Sequence, residues 1–350
     1  MARMIKHRWL LQLQCLLLTA GWCVAAPLHL PPLPEAVTSF GAVTSPDGWL
    51  YVFGGHKGER HEYNAAKVSG SFRRLRLEAG SSWQELPPAA PSQGVPLVTH
   101  GRHIYRLGGM AARNAEGAKQ DLHSVALVQR FDPARGSWED FVALPEPRSS
   151  HDAVVLGHKL YVGGGWSLAG GTNRPVWPGH TLMMDLENSS AGWTRIPQPF
   201  QRRALALAAQ GGRLFFIGGM DSDNQPTLAV EIYDPATKQW AKGPELPPGR
   251  HKGFSCSAIS QGGRVYANSF QGDLLRLTED ATAWEAVARV KQPRLAHRLV
   301  TLGASELLVL GGEDGDGKRP ELEPLLPSAV RPVGQRAAMQ PSVNSTPAPR

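Results

Sequence analysis

Apolar runs of four to seven residues, bounded by Gly, Pro or Asp, recur along this 350-residue chain, and no window holds a sustained 3.6-residue period. Five runs end on paired glycines: LYVFGG at 50–55, YRLGG at 105–109, YVGGG at 161–165, FFIGG at 215–219 and LVLGG at 308–312. The pattern predicts many short strands separated by turns, and an all-β chain.

The runs are periodic. The first glycines of the pairs Gly54-Gly55, Gly108-Gly109, Gly164-Gly165 and Gly218-Gly219 are 54, 56 and 54 residues apart, and Gly311-Gly312 closes the series. Trp83, Trp138, Trp193, Trp240 and Trp284 form a second series; in the first four units the tryptophan follows its glycine pair by 29, 30, 29 and 22 residues. Phe131-Asp132-Pro133 precedes Trp138, and Tyr233-Asp234-Pro235 precedes Trp240. Asp-Pro starts a turn, with the proline pre-setting φ. Proline-rich exits follow the tryptophans, as in Leu86-Pro87-Pro88 and Leu246-Pro247-Pro248. One unit is therefore four short strands.

This order resembles the kelch repeat, over about residues 28–312. The resemblance implies a six-bladed kelch-type β-propeller of four-stranded antiparallel blades, one per unit. Glycine permits positive φ and close approach of neighbouring backbones, and a large indole fills the wedge between blades, so both series are structural. The fifth unit has Ser269 and Phe270 where glycines are expected, and the sixth has no tryptophan after its pair. Residues 320–327 offer one outer strand there. His29-Leu30-Pro31-Pro32-Leu33-Pro34 resembles a fourth-strand exit, so the N-terminal segment is expected to complete the last blade.

Composition alters this picture at the ends. Arg3, Lys6 and Arg8 precede an apolar stretch from Trp9 to about Val24 that ends in small residues, which predicts a secretory signal peptide over 1–26. The chain is therefore expected to be exported, secreted or periplasmic, and its resemblance is to exported kelch proteins of bacterial type. Its propeller occupies 27–327, and a disordered Pro/Ser/Ala-rich tail spans 328–350. Losing the leader takes the net charge from +7 to +4, and the chain has no run of five basic residues, so nucleic acid is not an expected partner. The basic stretch Phe72-Arg73-Arg74-Leu75-Arg76 is expected to alternate, with one cationic face exposed. Of three cysteines only Cys256 lies beyond the leader, so no intrachain disulfide forms, and Cys256 reads as a packed thiol. Neither a cofactor nor a metal is expected. The D-x-D pairs Asp221/Asp223 and Asp314/Asp316 lack the ligand count that calcium requires.

Candidate chemistry lies where first strands begin. Arg148, Arg202, Arg250 and Arg294 open those strands in units three to six, with His151, His251 and His297 close behind. In kelch propellers this arginine position often lines the ligand-binding face; the alternative is that each arginine braces the blades through carbonyls and carboxylates. The loop 166–180 adds Trp166, Asn173, Arg174, Trp177 and His180, a set that can stack on a sugar and hydrogen-bond its hydroxyls, or equally a loop that simply folds over the blade edge. The loops 56–64 and 111–120 are similar. Two functions compete: a monomeric, non-catalytic binding module for a protein or glycan, preferring anions, and a carbohydrate-active enzyme of sialic acid mutarotase type. Glu35 and Asp152 are the acid/base candidates for the second.

Overall fold

The computed structural model describes residues 28–171 and 174–328, so the leader expected at 1–26, the loop residue Asn173 and nearly all of the expected tail lie outside the described residues. Six antiparallel sheets form six blades. Blade one is Gly41–Thr44, Trp49–Phe53, Phe72–Arg76 and Gln84–Leu86, and blade two is Leu97–His100, His103–Leu107, Val128–Asp132 and Ser137–Asp140. Blade three is Ser149–Leu156, Lys159–Trp166, His180–Asp185 and Thr194–Pro197, and blade four is Ala206–Gln210, Arg213–Ile217, Val230–Asp234 and Gln239–Lys242. Blade five is Ser257–Gln261, Arg264–Asn268, Asp273–Leu277 and Trp284–Arg289; blade six has three laddered strands, Arg298–Leu302, Glu306–Leu310 and Leu322–Leu325.

The core is six separate apolar clusters, one between each pair of adjacent blades. Each second strand therefore buries both faces, which is why it reads as a continuous apolar run. Leu160 and Val162 pack toward blade two while Tyr161 packs toward blade four. The stretch 72–76 follows the same rule: Phe72 is buried toward blade two and Leu75 toward blade six. This corrects the expectation of a strand with one exposed face. Arg74 instead lies over the Trp49 ring, 4.2 Å from its centroid.

The glycine pairs sit at the narrow inner end of the wedges. A Cβ on Gly108 would stand 2.4 Å from the Arg148 carbonyl oxygen of the next blade, and one on Gly109 would meet Ser92 and Val95 of its own blade. Both have positive φ, 58° and 103°. No side chain fits either position.

Each tryptophan donates its indole N–H to a carbonyl in the exit of the preceding blade: Trp138 to Pro87 at 3.0 Å, Trp193 to Ala143 at 2.8 Å, Trp240 to Pro197 at 2.9 Å and Trp284 to Pro244 at 2.9 Å. Trp83 does the same to Pro32 at 2.8 Å. The segment 28–34 thus stands where blade six would have its fourth strand. Leu28, Leu30 and Leu33 join the cluster between blades six and one, and Leu33 N–H donates to the Pro320 carbonyl at 2.8 Å. Its prolines lack N–H groups, so it packs without forming a ladder. The indoles other than Trp284 are half-buried rather than fully enclosed.

Six residues where the chain enters the first strands, Ser39, Gly94, Ser150, Ala204, Ser255 and Ala296, all hold φ of 50–58°. Each donates its N–H to the carbonyl of its counterpart in the preceding blade, at 2.6–3.3 Å, and Ser39 donates to Ala296. A closed ring of six backbone hydrogen bonds therefore surrounds the axis. The crown face of the propeller carries the loops that follow the glycine pairs, and the far face carries the first hairpin turns.

Candidate binding site on the crown face

The ring gives a register for comparing blades. Two residues before it stand Val37, Ser92, Arg148, Arg202, Gly253 and Arg294. Arg250 is three residues out of step, so Gly253 takes its expected position, and the equivalence of four arginines holds for three. The extra residues fold as a turn, Gly249–Phe254.

The three equivalent arginines are buried and bonded alike. Arg202 Nη1 donates to the carbonyls of Gly218 (2.7 Å) and Ala229 (2.8 Å), and Nη2 pairs with Glu231. Arg148 reaches Gly164, His180 and Glu146, and Arg294 reaches Gly311, Glu321 and Glu323. Each ties its own blade's first glycine to the residue at, or just before, the start of its third strand. These guanidiniums brace a blade rather than present charge at the mouth. His151 and His297, one residue after the ring, lie in the inter-blade wedge and are buried. Burial, with Arg148 and Arg298 near His151 and Arg294 and Arg298 near His297, pushes each imidazole down to about 3.

One residue before the ring lies a different cation, which no repeat marker in the sequence singles out. Arg203 stands over the Trp166 ring, 4.1 Å from its centroid, with Phe254 at 5.7 Å. Its Nη2 meets the Met220 sulfur at 3.0 Å, and its Nε is buried without a hydrogen-bond partner. Among the described residues no carboxylate lies within ion-pair distance of it. Burial pulls its pKa down, partly offset by Tyr63, which comes from the loop of blade one on the opposite side of the axis. Trp166 Nε1 and Gln93 Nε2 are also buried and unpartnered. Gln93 holds the same position in blade two that Arg203 holds in blade four. Three donors without acceptors thus occupy one tier of this mouth.

The loops shape access to that tier. Ala65 N–H donates to Asn114 at 3.0 Å, Gly170 to Leu122 at 3.0 Å and Ser124 to Leu168 at 2.9 Å, joining the loops of blades one, two and three. Arg60 pairs with Glu313 at 3.2 Å, which adds blade six. Over blades four and five the connections are tight turns at 221–225 and 269–272. The wall is therefore high on one side and low on the other, and the low side carries exposed Arg250 and Lys252. Trp177 leans on Trp166 at 5.7 Å, and its carbonyl accepts from Gln201 at 2.9 Å, so the loop holding both expected aromatics folds onto the blade. Among the described residues no cluster of His, Cys, Asp or Glu suits a metal ion, and no helix is long and apolar enough to cross a membrane.

Fold and site together define a six-bladed propeller with one walled, donor-rich face. The chain matches the family model described as KLHDC2/KLHL20/DRC7 Kelch-repeats domain over residues 42–266, and it belongs to the kelch-repeat family. It is 32% identical over 194 residues to the human Kelch repeat and BTB domain-containing protein 13, covering 53% of this chain and 40% of that protein. It is 24% identical over 229 residues to the zebrafish (Danio rerio) Kelch repeat and BTB domain-containing protein 12, covering 59% of this chain and 36% of that protein, so it spans less than half of either relative. The N-(sulfonatooxy)prop-2-enimidothioate sulfolyase of Thlaspi arvense is 26% identical over 310 residues, covering 79% and 77% of the two chains. Among solved structures, that of YjhT superposes with a TM-score of 0.65 at 15% identity, covering 84% of this chain and 95% of that one, and shares the fold.

Proposed function

We propose that this chain is a non-catalytic binding module that takes an acidic segment of a protein ligand on its crown face, with Arg203 as the central anchor. The observation that carries this reading is a half-buried guanidinium without a carboxylate, stacked on Trp166, on the same tier as two more unpartnered donors. A carboxylate supplies the acceptors these groups lack. The low wall over blades four and five lets an extended segment leave past Arg250 and Lys252. The kelch fold supports a binding role in general, and the leader-like N-terminus supports an exported setting.

The alternative of a sialic acid mutarotase needs an acid/base pair facing a ligand. Asp152 is bonded to Arg298 and to the Leu207 N–H, and Glu35 to Ser69, Lys57 and Arg73. Neither carboxyl is free on this face, which favours binding over turnover.

The test is calorimetric titration with a glutamate-rich peptide, beside a glycan array that includes sialylated members. Peptide binding that weakens with salt and is lost in Arg203→Met, with the melting point kept, supports the reading. Binding untouched by Arg203→Met, or a response confined to sialylated glycans, overturns it.

A further inference from the structure

Beneath the ring, the axis does not run through as an open pore. Asp152 of blade three and Arg298 of blade six meet across it at 3.1 Å. On the far side of this pair a cup of about 480 Å³ opens between the six innermost strands. That volume falls within the range of small-molecule pockets. The cup faces away from the crown, and no residue of the Arg203 site lines it.

Its serine hydroxyls and its guanidinium are biased in one direction. Ser257 Oγ accepts from the Leu299 N–H at 2.9 Å, and Ser260 Oγ accepts from the Ala209 N–H at 2.8 Å. These bonds occupy one edge N–H on each of two neighbouring inner strands and leave both hydroxyl protons to donate inward. At the floor, Arg298 uses Nε on the Phe40 carbonyl, one N–H on Asp152 and one on the Val95 carbonyl, so two of its five N–H groups remain. Asp152 is occupied by Arg298 and the Leu207 N–H. The cup is therefore rich in donors while its floor is electrically neutral. A second anion would compete with Asp152 for Arg298, and a cation would compete with Arg298 for Asp152; both would disrupt a buried pair. Leu97, Val154 and Ile259 give the walls apolar area for a ring.

We infer that this far-face cup is a second binding site, for a neutral, oxygen-rich small molecule of monosaccharide size, whose hydroxyl, ether or carbonyl oxygens accept from Ser257, Ser260 and Arg298. The site works independently of the crown face.

The experiment uses the full chain and saturation-transfer NMR with a fixed probe set: glucose, galactose, N-acetylglucosamine and glucono-δ-lactone as neutral probes, glucuronate and glucosamine as charged counterparts. Thr99 lines the cup, is half-buried and makes no side-chain hydrogen bond among those described, so Thr99→Trp fills the space without orphaning a partner. The expected result is transfer to at least one neutral probe, weakened at least about tenfold in Thr99→Trp and retained in Arg203→Met. Should Thr99→Trp shift the melting point, Thr99→Leu provides a milder block with the same expectation. No transfer to any neutral probe, equal or stronger transfer to a charged one, or binding that survives both Thr99 variants overturns the inference.

Discussion

The Asp152 carboxylate and the Arg298 guanidinium, from diametrically opposed blades, meet at 3.1 Å across the propeller axis. Around this pair the inner ends of five blades are joined. Arg298, on blade six, also donates to Phe40 of blade one at 2.8 Å and Val95 of blade two at 3.4 Å, while Asp152 of blade three accepts from Leu207 of blade four at 3.0 Å. Removing one partner leaves the other charge buried and unpaired. Arg298→Met should cost about 3–5 kcal/mol in urea unfolding. The double change Arg298→Met with Asp152→Leu should recover most of that. A double variant no better than the single one would mean that the hydrogen bonds to the blades, rather than the charge pairing, set the cost.

Acid should weaken the fold through two histidines. His151 and His297 are buried, make no well-formed hydrogen bond through either ring nitrogen, and are pushed down to about 3. In the unfolded chain they take up protons near pH 6.5. The unfolded state therefore binds more protons between pH 6.5 and 3, and stability falls as pH drops through that window, most steeply once the unfolded rings are fully protonated, where each contributes about 1 kcal/mol per pH unit. Phe40, Val95, Leu205 and Cys256 hold the same register in the other blades. The double variant His151→Leu with His297→Leu should flatten the pH dependence of the urea midpoint between pH 7 and 5. An unchanged slope would place the acid sensitivity elsewhere.

The tryptophans test the hydrogen bond against the packing. Trp138→Phe removes the indole donor to Pro87 but keeps an aromatic ring against Phe72 and Phe131. It should cost about 1 kcal/mol. Trp138→Ala removes the ring as well and should cost about 2–4 kcal/mol, toward the lower side for a buried aromatic because the indole is half-buried. Equal costs for the two variants would assign the whole effect to the N–H bond.

Glycines of equal φ should differ sharply. Gly101 and Gly108 have φ of 57° and 58°, but a Cβ on Gly101 meets nothing within 4 Å, whereas one on Gly108 meets the Arg148 oxygen at 2.4 Å. Gly101→Ala should cost about 1–2 kcal/mol, the backbone strain alone. Gly108→Ala should lower the melting point several times further or yield no folded protein. Similar melting points would show that the blades can spread to admit a methyl group.

Sequence alone determined the repeat period, the order of four short strands within a unit, and the positions of the glycine pairs and tryptophans, because all of these are local and repeated. Two spacings kept in step over several units carry the resemblance to the kelch repeat, which implies the propeller, and the orphaned sixth strand set pointed to 28–34 as its complement. Tertiary structure decided what each side chain near the axis faces. A shift of one residue along a strand exchanges channel, wedge and crown, and periodicity in sequence does not set that phase. Arg202 and Arg203 are adjacent, yet the first is sealed among the Gly218 and Ala229 carbonyls while the second stands over Trp166 without a carboxylate. Arg250 matched the motif by spacing, but the turn before Ser255 put Gly253 in its place. Nor could spacing show that Asp152 and Arg298, 146 residues apart, would meet. That contact exists because six blades close into a ring, and closure brings opposite strands to a common axis.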